Sequence, residues 1–254
     1  MIKTVLISGG SSGIGLAITK LFLSKGANVI VASRNREKLE LNLDNTNKNL
    51  TFIKTDFENM DSVKELYQKI RNKFDVIDVA INNVGLGIIK PFSDFTEEEF
   101  DSIFNVNLKS LWLSMKLQIP MMLGDKKRQI INISSVNGLG GAEFLSLYSA
   151  AKAGVISLTK SVALEQSKSN LSINTIVPGP FDTPMLDSAL LTQAGGDKEQ
   201  KATIEEQYKQ FIPQGRFGFP EEIAEMTLWL CEGNSTFLSG HSLIIDGGMS
   251  SRYR

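Results

Sequence analysis

The sequence has almost none of the residues from which metal sites and disulfide frameworks are made. Cys231 is its only cysteine and His241 its only histidine. One thiol excludes an intramolecular disulfide framework and a cysteine-rich zinc site. One imidazole argues against a histidine metal cluster and against a Ser-His-Asp triad, so no metal is expected. Excess charge is missing as well: 27 Lys and Arg stand against 28 Asp and Glu, for a formal net charge of −1. Such a balance gives no bulk basic field for nucleic acid or an anionic membrane surface. Long apolar runs are also absent. The opening "MIKTVLISGG" reaches glycine too early for a signal peptide, and no run approaches a membrane span. The expectation is a cytoplasmic protein without a nucleic-acid or membrane partner.

What is present has a regular order. Short apolar runs, "TVLIS" (4–8), "NVIVAS" (28–33), "LTFIKT" (50–55), "VIDVAI" (76–81), "QIINIS" (129–134), "LSINTIV" (171–177) and "SLIID" (242–246), alternate with longer segments. Most are rich in Val and Ile and nearly continuous in apolar character, as parallel strands covered on both faces should be. Segments 13–25, 60–72, 97–119 and 148–166 are long enough for crossover helices. Thr96 and Glu99 form a capping box at the start of the third, with Phe100, Ile103, Phe104, Leu108 and Leu111 following at helical spacing. This alternation predicts an α/β fold: a doubly wound sheet of seven mainly parallel strands, flanked by helices on both faces, in one domain spanning 1–254. The polar stretch 187–212, with Gly195–Gly196, departs from the pattern and reads either as a solvated insertion or as part of a substrate lid over about 183–212.

Ligands of open parallel sheets sit beyond the carboxyl ends of the strands. Here those ends run into Ser8-Gly9-Gly10, Ser33-Arg34, Asp56, Asn82-Asn83 with Gly85, Ser134-Ser135 and Pro178-Gly179. Six such ends on one edge argue for a site. The first reads "SGGSSGIG", with Gly9, Gly13 and Gly15 after a strand and at the opening of a helix. Its backbone N–H groups and helix N-terminus suit a pyrophosphate. It is not a nucleoside-triphosphate P-loop, because Gly15 is followed by Leu16-Ala17 rather than Lys-Ser/Thr. In "LYSAAKAG", Tyr148 and Lys152 stand one helical turn apart, a spacing that lets a phenol and an ammonium meet. Asn107 falls on the apolar stripe of the 97–119 helix, three after Phe104 and four before Leu111. A buried amide there needs partners, as a core Asn bonded to backbone or as part of a site.

With these motifs in order, "SGGSSGIG", Asp56, "NNVG" (82–85), "VNL" (106–108), "ISS" (133–135), "YSAAK" (148–152), "PGPFDT" (178–183) and "DGG" (246–248), the whole chain resembles the short-chain dehydrogenase/reductase family. Ser8 stands where that family usually has threonine, and Val84 where it usually has alanine. The resemblance implies a Rossmann fold and a catalytic tetrad of Asn107, Ser135, Tyr148 and Lys152. Tyr148 would be the general acid or base, Ser135 would hold the substrate oxygen, and Asn107 would kink its helix and hold a relay water. Lys152 would lower the phenol pKa and bind the nicotinamide ribose; a free phenol near pKa ~10 is a poor base at neutral pH. Ser135 is taken over Ser134 by its interval to Tyr148, although either could cap a strand end. Cofactor contacts are implied for Gly9, Ser11, Ser12, Gly13 and Ile14, for Asp56 and Phe57, for Asn83 and Gly85, for Tyr148 and Lys152, and for Pro178, Gly179 and Thr183.

The family's NAD users carry an acid at the end of the second strand, where this chain has Ser33 followed by Arg34. Loss of the carboxylate and gain of a guanidinium favour the 2′-phosphate of NADP(H), with NAD(H) still possible. Arg34 could otherwise be a solvated residue at the start of the next helix, and Asp56 a cap. The function expected is hydride transfer between nicotinamide and a carbonyl or alcohol, on a substrate resembling a 3-oxoacyl thioester. The alternative is a non-catalytic dinucleotide sensor or scaffold; a methyltransferase would have no need of Tyr148 and Lys152. Leu86, Ile88, Leu139, Phe144, Leu145 and Met185 stand near the expected pocket and suggest an apolar or mixed small molecule. The resemblance also implies a homotetramer or dimer.

Overall fold

The computed structural model describes residues 2–43, 47–232 and 237–251. Its strands are β1 (Thr4–Ser8), β2 (Asn28–Ser33), β3 (Leu50–Lys54), β4 (Val79–Asn82), β5 (Arg128–Ile133), β6 (Leu171–Pro178) and β7 (Ser242–Ile245). They form one sheet of order β3-β2-β1-β4-β5-β6-β7 in which every neighbouring pair is parallel. The helices are α1 (Gly13–Ser24), α2 (Arg36–Glu40), α3 (Met60–Arg71), α4 (Glu97–Phe104), α5 (Ser110–Met122), α6 (Ser146–Glu165), α7 (Pro184–Gln193), α8 (Lys198–Phe211) and α9 (Pro220–Cys231).

The continuous apolar character of the strands follows from cover on both faces. Leu6, Ile30 and Ile130 pack with Leu66 of α3, Leu113 of α5 and Val155 of α6. Their neighbours Val5, Val29 and Ile131 point the other way, onto Ile18 and Phe22 of α1 and Leu228 of α9. Each such side chain, fully buried, contributes roughly 1.5–3 kcal/mol relative to exposure.

Three expectations are corrected. The 97–119 helix is not continuous: α4 gives way to a π-helical segment, Asn105–Lys109, before α5 begins. The capping box is formed, with Glu99 N donating to Thr96 Oγ1 at 3.2 Å and Thr96 N to Glu99 Oε2 at 3.0 Å. Within α4, Ile103 is buried while Phe100 is exposed and stacks on Phe104. The fourth strand starts at Val79 rather than at 76, since Asp78 accepts bonds from Lys3 N and Thr4 N at 2.9 and 3.0 Å. The polar stretch 187–212 is no plain insertion but most of a helical pair. Thr183 and Asp197 cap α7 and α8, and Gly195 and Gly196, at φ 61° and 88°, turn the chain between them. No helix of the described residues is long and apolar enough to cross a membrane.

Candidate active site

The strand ends at the carboxyl edge are tied to one another. Ser8 Oγ accepts from Asn83 N at 3.0 Å, joining β1 to the segment after β4. Asn83 Nδ2 donates to the carbonyls of Ser8 and Gly9 at 3.4 and 3.3 Å. Gly9 sits at φ 69°, and a Cβ on Gly15 would collide with the Gly9 carbonyl, so the loop closes this tightly only with glycine. Thr19 of α1 donates to the carbonyls of Gly10 and Gly15 at 3.0 and 2.8 Å, which fixes the loop from within. Ser12, the N-cap of α1, is extended and makes no side-chain capping bond. The first N–H groups of α1 are thereby left for a ligand between Ser11 and Ile14.

Asn107, Ser135, Tyr148 and Lys152 come together around Gly85 and the end of β5. A Cβ on Gly85 would lie 3.3 Å from Asn107 Oδ1 and 3.4 Å from Lys152 Nζ. Asn107 is buried within the π segment. Its Nδ2 donates to the carbonyls of Leu86 and Ile103, each at 2.8 Å, and its Oδ1 accepts from Leu86 N at 3.1 Å. The amide is thus bonded to backbone, and through Leu86 it holds the loop next to Gly85, which faces Lys152.

Lys152 is held at both ends by β5. Its Nζ donates to the Ile133 carbonyl at 3.0 Å, and its own carbonyl accepts from Ser134 Oγ at 2.8 Å. Ser134 is thus occupied in a structural bond; Ser135 Oγ accepts from Asn137 N at 3.2 Å and lies close enough to Tyr148 to act on its phenol. Burial lowers the pKa of Lys152 to about 8. Tyr148 keeps part of its surface accessible, yet the surrounding protein pushes its phenol upward, and the Ser135 hydrogen bond opposes that rise. Lys152 Nζ lies 5.7 Å from the Tyr148 ring centroid. Without a ligand, burial therefore outweighs the downward pull expected of the ammonium.

The remaining residues lie around this centre. Pro178 ends β6, Gly179 packs on Asp246 of the "DGG" turn, and Thr183 caps α7 beside Gly13. Arg34 is exposed, has no ion pair among the described residues, and precedes Asn35, the N-cap of α2, so it does not belong to the helix. Asp56 is exposed and accepts from Glu58 N at 3.1 Å, but the cap of α3 is Asn59. Phe57 is buried beside it. Among the described residues no cluster of His, Cys, Asp and Glu could hold a metal.

A buried polar chain under the tetrad is not foreseen in the sequence. Tyr67 of α3, Gln118 of α5, Asn82 of β4, Asn132 of β5 and Thr159 of α6 are joined by side-chain hydrogen bonds of 2.7–3.1 Å. The available signal is a set of amides inside otherwise apolar segments, Asn132 in "QIINIS" above all.

The family model for short chain dehydrogenase matches residues 3–194 of this sequence. The chain is a short-chain dehydrogenase. This dehydrogenase is 35% identical over 254 residues to 3-oxoacyl-[acyl-carrier-protein] reductase FabG of Thermotoga maritima, covering 97% of each chain. To the FabG of Chlamydia trachomatis it is 34% identical, covering 98% of this chain and 97% of the relative. Among solved structures, the aldohexose dehydrogenase AldT of Thermoplasma acidophilum aligns with a TM-score of 0.89 at 30% identity, over 99% of this chain and 95% of the other. The dehydrogenase is accordingly an oxidoreductase that interconverts an alcohol and a carbonyl with a nicotinamide dinucleotide.

Proposed function

We propose that this dehydrogenase works as an NADPH-dependent carbonyl reductase, with a 3-oxoacyl thioester or a chemically similar compound as substrate. The reading rests on Tyr148 and Lys152 one helical turn apart on α6, with Lys152 Nζ 5.7 Å from the Tyr148 ring centroid and Ser135 close to the phenol. Its substrate class follows the relatives that carry that activity in their names. The cofactor fits these residues. The α1 N-terminus lacks a side-chain cap where a pyrophosphate would lie, and the buried Ser33 Oγ has no hydrogen-bond partner at the end of β2. A buried hydroxyl and an arginine, both without a partner among the described residues, suit the 2′-phosphate of NADPH. Ser11 to Ile14 would hold the pyrophosphate, Asp56 and Phe57 the adenine, and Asn83, Gly85, Pro178, Gly179 and Thr183 the nicotinamide half.

The chemistry taken from the bound nicotinamide is hydride transfer. Ser135 holds the carbonyl oxygen, Tyr148 gives that oxygen its proton, and Lys152 stabilises the phenolate that remains. Asn107 keeps the Leu86 loop in place opposite Lys152. Substituting Tyr148→Phe removes the proton donor and should lower kcat at least about a hundredfold, with NADPH affinity little changed. Wild-type turnover in that variant would refute the assignment, and turnover of no carbonyl by the wild type would favour a non-catalytic binding protein. Arg34→Ala should weaken NADPH far more than NADH in fluorescence titrations; equal weakening would refute the 2′-phosphate contact.

The α7–α8 pair is read as a lid over the substrate, on the packing of Thr183 against Gly13. Hydrogen exchange in 184–211 should slow when NADPH and substrate bind, and unchanged exchange would overturn this. A homotetramer or dimer is proposed from Trp112, Leu164, Trp229 and Ile244, large apolar side chains left exposed on α5, α6, α9 and β7. Sedimentation as a monomer would contradict it. Cytoplasmic residence is the matching proposal, given the balanced charge, and recovery in the membrane fraction would overturn it.

A further inference from the structure

Among the described residues only one that is not glycine has a positive φ: Phe144, at 61°. A left-handed backbone crowds Cβ against the following carbonyl, so a bulky residue stays there only when its surroundings impose it. Glycines were at hand, since Gly140 and Gly141 lie in the same loop with open space around them, and neither has a positive φ. The left-handed turn nevertheless falls on a phenylalanine, whose side chain is half exposed.

The surroundings that impose it come from the loop on the opposite side of the site. Lys90 N donates to the Phe144 carbonyl at 3.0 Å. The Lys90 side chain is in turn fixed, with Nζ 2.9 Å from both carboxylate oxygens of Glu99, the residue that completes the capping box of α4. Just beyond Phe144, Leu145 turns inward. A Cβ on Gly87 would meet Tyr148 Cδ2 at 3.7 Å and Leu145 Cδ2 at 4.0 Å, so Gly87, Leu145 and Tyr148 share one rim. Phe144 is the next residue outward on that rim.

We propose that Phe144 is a specificity-determining residue. Its ring forms an apolar wall for the part of the substrate that extends past the carbonyl, and it selects carbonyl compounds with a long apolar chain over short ones. The left-handed backbone, held by Lys90, aims a ring where an ordinary loop conformation would carry it elsewhere. This rests on the reading of Tyr148 as proton donor, because it takes the substrate carbonyl to lie at that hydroxyl.

The test compares acetoacetyl and 3-oxodecanoyl thioesters of N-acetylcysteamine, with NADPH, in wild type, Phe144→Gly and Phe144→Asn. Both replacements accept a left-handed backbone, so the loop is kept while the ring is removed. The ratio of kcat/KM for the long thioester to that for the short one should fall about tenfold in both variants, with the change in KM rather than kcat. Their thermal midpoints should be no lower than that of the wild type. An unchanged ratio, or a fall carried by kcat, would overturn the proposal; a lowered midpoint in both would overturn the strain argument. If the wild type reduces neither thioester, the reading of the reaction fails separately. Calorimetric titration of the NADPH complex with the two thioesters then decides for Phe144: a chain-length preference lost in the variants supports the wall, and its persistence or its absence in the wild type refutes it.

Discussion

The floor of the site and its cover are built on opposite terms. The floor, where β4 and β5 meet α5 and α6, is dense with buried polar side chains, and Asn82, Gln118, Asn132 and Thr159 all have partners. The cover proposed for it, α7 and α8, rests on a small cluster of Leu190, Ile212 and Phe217 backed by Leu186, Ile204 and Tyr208. Helix α8 itself buries no residue, and an ion pair between Lys201 and Asp187 ties it to α7. Satisfied buried polar networks fix a single arrangement, because any slip leaves an amide unpaired in a low-dielectric interior. A cover with little burial can move, and its sequence can vary, without disturbing that arrangement. Proton transfer suits the first kind of structure, and a movable lid suits the second.

Substitutions can break this contrast at several depths. The largest effect is expected from the floor itself, in the loss of turnover by Tyr148→Phe described above. Next comes Lys152. Its pKa is about 8 in the fold against 10.5 for an ordinary lysine. Between those values the unfolded chain holds a proton that the native chain has shed, so Lys152 should add stability to the ligand-free protein as pH rises through that window. The gain is roughly 3 kcal/mol across the window. The stability of the wild type relative to Lys152→Met in urea should rise from about pH 7 to about pH 11. This difference cancels the opposing effect of Cys231, Tyr67 and Tyr148, whose raised pKa values favour the unfolded chain at high pH; a constant difference would contradict the assigned burial.

A smaller loss is expected from Gln118→Leu. That change strands Asn82 Oδ1 and removes a partner of the Tyr67 hydroxyl, which should reduce stability by about 2 kcal/mol. Equilibrium unfolding in urea checks it. The smallest effect belongs to the cover: Lys201→Ala should leave the urea midpoint unmoved, since a surface ion pair adds little. If Lys201→Ala proved as damaging as Gln118→Leu, the distinction between floor and cover would not stand.

The same contrast decides what could be read from the sequence. Strand identity was legible because cover on both faces makes each run apolar, and the phosphate loop was legible because close backbone approach demands glycine at Gly9 and Gly15. The pairing of Tyr148 with Lys152 followed from helical spacing. Helices α7 and α8 were not recognised, because α8 buries no residue and α7 only Leu190, which leaves little apolar face to detect, although Thr183 and Asp197 marked their starts. The π segment left no trace in spacing, since the apolar residues continue through it. The Tyr67–Gln118–Asn82–Asn132–Thr159 chain was hidden because its members are far apart in sequence and meet only where the sheet packs against one of its helix layers. Ser134 and Ser135 could be separated only by an interval, and each has a structural bond, Ser134 to the Lys152 carbonyl and Ser135 from Asn137 N.

The π segment at Asn105–Lys109 also changes what one rod of helix can do. A regular helix has a single apolar bearing along its length, so it can serve one neighbour well. One added residue advances the bearing by about a third of a turn. Before the segment, Ile103 packs with Leu147 and Ala151 of α6. After it, Leu113 and Met115 join the core shared with α3 and the sheet. Asn107 sits at the joint, and its bonds to the Leu86 and Ile103 carbonyls hold the two halves out of phase. Residues 97–122 therefore act as a crank, with the site's amide as its pin.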